Sequence, residues 1–216
     1  NYMQVQINYQ PFWEKPPLFF WMQVVSMNIF GVNEFAARLP NAICGIVLLG
    51  VLFNMGKKLH SERFGWLMTL IYAGSFLPHF YFKTGIIDPT FNLFIFTGIY
   101  FLYQYSYKTS IEKNELSKCF KYLLFASVFI TLAILTKGPV GYLLVAIIWI
   151  CYELFNRNIS KFPYIPFLQF TLMTAIIPII WYIVVFLSNE QSVLEDFILY
   201  HIRLLTKEDA GHGGPI

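Results

Sequence analysis

Apolar residues in this chain fall into long runs, and the charged residues gather in the gaps between them. Six runs, at about 36–56, 64–83, 89–107, 119–136, 139–155 and 168–187, approach or reach the roughly 20 residues that a helix needs to cross a bilayer. A shorter run, Leu18 to Phe30, carries Gln23, Ser26 and Asn28 and follows two prolines, so it predicts a helix lying in the membrane interface. After the last run, Leu194, Phe197, Ile198, Ile202 and Leu205 recur near helical spacing among charged residues. That spacing predicts a second interfacial helix, from which His201 and Arg203 are displayed. The expected fold is therefore all-α, a polytopic transmembrane helix bundle with interfacial external helices.

Composition agrees with the pattern. Apolar residues make up 57% of the chain and charged residues 12%, and the 23 Phe outnumber the 15 Lys and Arg, which excludes an ordinary soluble domain. The net charge of +3 does not point to nucleic acid, because the basic residues lie in short clusters and not along one face. Membrane lipids are the expected surroundings. Cys44, Cys119 and Cys151 are single and far apart, so neither a disulfide framework nor a thiolate metal site is expected.

The lysines and arginines also set an orientation. The loops holding Lys57, Lys58 and Arg63, then Lys108, Lys113, Lys118 and Lys121, then Arg157 and Lys161, alternate with loops poorer in positive charge. The first set is expected at the cytoplasmic face. The sequon Asn158-Ile159-Ser160 falls on that side and is expected to be unused.

Four compact polar signatures then share the external face: EKPP at Glu14–Pro17, KTGIIDP at Lys83–Pro89, TKGP at Thr136–Pro139, and YHIRLLTKEDAGHGGP at Tyr200–Pro215. Each has a structural reading beside a chemical one. Asp88 before Pro89 fits a helix N-cap, and a carboxylate at the positive end of a helix can also position an acceptor or bind a metal. Lys137 offsets the negative end of a helix dipole, and its ammonium also lies where a lipid phosphate would meet it. Glu14 and Lys15 could be an interfacial ion pair among belt aromatics, but Pro16 and Pro17 hold them in a rigid, extended presentation that a snorkelling pair does not need. Arg38 reads as a partner for Glu34 one helical turn away. Glu plus His, here Glu14 and His201, is an acceptable partial ligand set for a divalent metal.

In order and separation, the segments WEKPPLFFW, FGVNEFAARLP, IIDPTFNLF, LAILTKGPVG and YHIRLLTKEDAGHGGP resemble the bacterial GT-C glycosyltransferases of the aminoarabinose lipid A transferase and protein O-mannosyltransferase-like group. The resemblance implies transfer of a sugar from a polyprenyl-phosphate donor to a lipid or protein acceptor on the external face of a bacterial inner membrane, with no nucleotide cofactor. It implies a divalent metal at Glu14, with His201 beside it, donor-phosphate binding by Lys15, Arg203 and Lys137, and acceptor positioning by Asp88. It also implies a partial GT-C domain over 1–216: an external-loop remnant at 1–34, about six spans over 36–187 and an external segment at 188–216. The family's first helix, its principal Asp and its C-terminal part are expected outside this sequence. The rival class is a secondary transporter or flippase for lipid-linked sugars. It requires charges at mid-membrane and paired broken helices, whereas nearly every charge here lies at the end of a run.

Overall fold

The computed structural model describes residues 6–7, 10–11, 15–111, 116–156 and 162–187. Glu14, His201, Arg203, the sequon at 158–160, the expected helix around 194–205 and the whole segment 188–216 lie outside the described residues. A two-rung antiparallel ladder joins β1 (Gln6–Ile7) to β2 (Gln10–Pro11), and every other described element is a helix. The helices are α1 (Leu18–Phe30), α2 (Glu34–Leu59), α3 (Glu62–Gly74), α4 (Phe76–Tyr81), α5 (Asp88–Ile111), α6 (Leu116–Lys137), α7 (Val140–Asn156) and α8 (Tyr164–Leu187).

Five of the six expected spans correspond to single helices, and the sixth divides. The run expected as one span over 64–83 breaks at Ser75, which takes an extended conformation (φ −75°, ψ 136°) between α3 and α4. The cause is local. Pro78 has no N–H to give the carbonyl of Gly74, glycine is a poor helix former, and the Ser75 hydroxyl bonds back to the Ile71 carbonyl at 2.7 Å. Among the described residues, three helices are both long and apolar enough to cross a membrane: Glu34–Leu59, Cys119–Lys137 and Tyr164–Leu187. By contrast, α7 is a shorter apolar helix, and the long α5 is diluted by Asn92, Thr97, Gln104 and Ser106.

Helix α6 is central and touches α1, α5, α7 and α8. Its fully buried apolar residues Cys119, Leu123, Ala126, Ile130 and Ala133 recur at alternating steps of four and three, the spacing of one helix face packed against its neighbours. Close approach of α5 needs Gly98, since a Cβ there would overlap the end of the Ile130 side chain. One apolar cluster joins α5, α6, α7 and α8 around Leu123, Ile130, Trp149 and Phe170. A second joins α2, α5 and α6 around Leu48, Phe91 and Ala133, with Leu18 and Met22 of α1 packed against it. The opposite faces of α7 and α8 expose Leu143, Ile147, Leu168, Leu172 and Ile176, the arrangement expected where lipid is the solvent.

Helix α1 has the predicted limits, Leu18 to Phe30. Two of the polar residues that set it apart in the sequence turn inward. Gln23 donates to the Ala37 carbonyl of α2 at 3.0 Å, and Ser26 is buried. Gln23 ties α1 to the start of α2, so the polarity of α1 serves packing.

Candidate functional site

The first turn of α5 meets the last turn of α6, Asn41 of α2 packs beside the start of α5, and the candidate site is assembled there. Helix α6 ends at Lys137 because Gly138 takes a left-handed conformation (φ 88°), with its N–H bonded to the Ile134 carbonyl at 2.8 Å. Pro139 then leads straight into α7. Helix α5 opens at Asp88, and its first described backbone bond runs from the Phe91 N–H to the Ile87 carbonyl at 3.2 Å. Ile87 thus occupies the cap position expected for Asp88. The Asp88 carboxylate is directed instead to Lys137, whose Nζ donates to Oδ1 at 2.5 Å.

Each charge sits on the helix end that favours it, the anion at the positive end of α5 and the cation at the negative end of α6. The Lys137 ammonium also lies 5.3 Å from the centre of the Phe91 ring. The Lys137 and Asp88 side chains are 31% and 40% exposed, so the pair is partly accessible. An ion pair so exposed contributes at most about 1 kcal/mol to stability, so stability alone does not account for it. An ammonium has three donors and Asp88 takes one, which fixes the direction of the others.

Asn41 holds the approach to Asp88. It is fully buried in α2, directly after Pro40, and its Nδ2 donates to the carbonyls of Thr84 and Ile86 at 2.8 and 2.6 Å. Its Oδ1 accepts from the hydroxyl of Thr90, also fully buried, at 2.9 Å. One amide therefore fixes the loop before Asp88 and the first turn after it. Neither Asn41 nor Thr90 was singled out by sequence reasoning. The available signal was an amide inside an apolar run, a group that is costly to bury unless its hydrogen bonds are made.

Lys15 belongs to the same end of the bundle. It is half-buried, Pro16 and Pro17 behind it are buried, and Leu18, three residues on, packs against the cluster containing Phe91 and Ala133. The Pro17 carbonyl accepts the Trp21 N–H at 2.9 Å, so the prolines lead directly into α1. Of the expected site residues, the structure brings Asp88 and Lys137 into contact and puts Lys15 at their end of the bundle. Arg38 pairs with Glu34 at 3.1 Å, as the spacing predicted, with both side chains largely exposed. Among the described residues no three His, Cys, Asp or Glu side chains come together.

Comparison with known proteins adds the following. The family described as dolichyl-phosphate-mannose-protein mannosyltransferase matches residues 14–186. An uncharacterized protein of Aquifex aeolicus is 28% identical over 88% of this chain and 36% of its own length. An undecaprenyl phosphate-alpha-4-amino-4-deoxy-L-arabinose arabinosyl transferase of Photorhabdus laumondii is 22% identical over 94% of the chain and 36% of its own length. The chain thus spans a little over a third of these relatives. In three dimensions it is similar to ArnT from Cupriavidus metallidurans in the apo state, with a TM-score of 0.81 and 19% identity over 95% of this chain and 40% of that one. The same protein bound to undecaprenyl phosphate aligns with a TM-score of 0.77 and 21% identity over 88% of this chain and 34% of that one. The likeness shows a shared all-α membrane fold.

Proposed function

Because the chain belongs to the dolichyl-phosphate-mannose-protein mannosyltransferase family, we propose that it forms part of a bacterial inner-membrane glycosyltransferase. The enzyme transfers a sugar from a polyprenyl-phosphate donor to a lipid or protein acceptor on the external face of the membrane. The observation that carries this reading is the Asp88–Lys137 pair, buttressed by Asn41 at the end of the bundle that also holds Lys15. Support for the donor class comes from the relatives named as arabinosyl transferases and from the similar structure bound to undecaprenyl phosphate.

In the transfer, an acceptor oxygen or nitrogen attacks the anomeric carbon while the bond from that carbon to the phosphate oxygen breaks. The bonding pair leaves with the phosphate, releasing free polyprenyl phosphate, and the acceptor proton passes to a base. Negative charge grows on the phosphate, so cations fixed beforehand lower the barrier. Lys15, Lys137 and Arg203 fill that role. Lys137 is held by Asp88, which suits Asp88 to positioning and not to proton abstraction. The acceptor's proton passes to a base other than Asp88. Glu14 and His201 would hold a divalent metal, which would add charge stabilisation at the phosphate.

The test uses the full-length protein in nanodiscs, supplied with a panel of polyprenyl-phosphate sugars, and measures release of polyprenyl phosphate. Release from one donor that collapses in Lys15→Ala and Glu14→Ala supports the reading and names the sugar. No release from any donor, or release indifferent to both substitutions, would sink it and return the EKPP stretch to an interfacial anchor.

A further inference from the structure

Far from this site, the bundle holds a pocket of a different kind. Gln104 lies 16 residues along α5 from Asp88, or about 24 Å at the rise of an α-helix, and beside it a cavity of about 320 Å³ opens between the end of α2, α5 and α6. Its walls include Lys58 from α2, Tyr100, Gln104 and Lys108 from α5, and Tyr122 from α6. The Nζ atoms of Lys108 and Lys121 both lie 5.2 Å from the centre of the Tyr122 ring, so three lysines from three helical segments surround this cavity and its rim. The Tyr100 hydroxyl accepts from Gln104 at 3.1 Å.

The pocket has an apolar continuation. Phe101, which lines it, stacks on Phe125 at 5.3 Å and on Phe129 at 5.7 Å, and Phe129 meets Phe94 at 6.5 Å. The series leads from the lysine-rich mouth back toward the middle of the bundle. Phe125 and its neighbours Leu124 and Val128 on α6 are exposed. A charged mouth above an exposed apolar track matches a molecule with an anionic head and a hydrocarbon tail, whereas a soluble anion would need only the mouth.

We propose that this pocket binds the phosphate head group of an anionic phospholipid, with an acyl chain lying along Phe101, Phe125 and Phe129. Basic pockets between transmembrane helices on the cytoplasmic side suit such head groups, and the distribution of loop lysines assigns this end to that side. The tyrosine and glutamine groups supply hydrogen-bond donors to the phosphate oxygens, and the lysines supply the charge.

The experiment is native mass spectrometry of the delipidated full-length protein, titrated with phosphatidylglycerol, with phosphatidylcholine and with inorganic phosphate. The variants are the double substitution Lys58→Gln with Lys108→Gln, and Lys57→Gln. Lys57 pairs with Glu62 at 3.0 Å and is absent from the pocket wall, so it controls for loss of charge near the same surface. The expected result is selective binding of phosphatidylglycerol, weakened roughly 30-fold in the double variant, the loss for two basic residues at a lipid surface, and unchanged in Lys57→Gln. Equal weakening in Lys57→Gln, equal binding of phosphatidylcholine, or saturation of the site by inorganic phosphate alone would each overturn the proposal. Circular dichroism of the double variant establishes that it is folded, and a Tyr122→Ala variant, expected to weaken phosphatidylglycerol binding, tests the same pocket without touching Lys58 or Lys108.

Discussion

Two carboxylates, toward opposite ends of the bundle, are handled in opposite ways. At one end, Asp88 and Lys137 form a partly exposed pair, each on the helix end that suits it. At the other, Glu153 of α7 is buried and takes part in a compact network. The Ser106 hydroxyl donates to its Oε1, and the Trp149 indole N–H lies 3.1 Å from the Ser106 oxygen and 3.2 Å from that same Oε1. Trp149 also packs against Phe170, Phe167 and Tyr105, so the network is part of the apolar cluster that joins α5 to α8. The contrast separates two uses of polar groups. A buried, hydrogen-bonded cluster specifies packing, and an accessible ion pair of little stabilising worth is available for chemistry.

The largest effect on stability should come from the buried end. Trp149→Ala removes a large ring and two hydrogen bonds and is expected to cost about 3–5 kcal/mol, read as a fall in the midpoint of thermal unfolding in detergent. Lys137→Ala should cost at most about 1 kcal/mol in the same assay. If both variants unfold alike, the division between a structural network and an ion pair available for chemistry fails.

Turnover should reverse that order. With the full-length protein, Lys137→Ala is expected to slow release of polyprenyl phosphate about 10²- to 10³-fold, the range for losing one fixed group that stabilises transition-state charge. Asn41→Ala tests how the pair is held, since it strips partners from the carbonyls of Thr84 and Ile86 and from the Thr90 hydroxyl. It should destabilise by about 1–3 kcal/mol and also lower turnover in the fraction that stays folded. A loss of stability with full turnover would show that the clamp serves only the fold. The smallest effect belongs to Arg38→Ala, whose exposed pairing with Glu34 should shift unfolding by less than about 0.5 kcal/mol.

The architecture was legible in the sequence wherever a run of apolar residues was long enough to determine its own environment. The limits of α1 and the Arg38–Glu34 pair both follow from composition, spacing and local geometry. The break at Ser75 was also encoded locally, by Gly74 and Pro78, but hydropathy averaged over a window passed across it. The motifs marked Asp88, Lys137 and Lys15 one at a time, because each sits beside a proline or glycine that fixes its backbone. What no stretch of sequence could decide was which of them meet. Asp88 and Lys137 are 49 residues apart, and Asn41 reaches Thr84 and Ile86 across 43 and 45. Such contacts depend on how α2, α5 and α6 pack, and that is set by the shapes of side chains on three separate helices. Local patterning fixed the helices and the candidate residues; the packing of the bundle alone turned an expected cap and an expected dipole partner into a single ion pair.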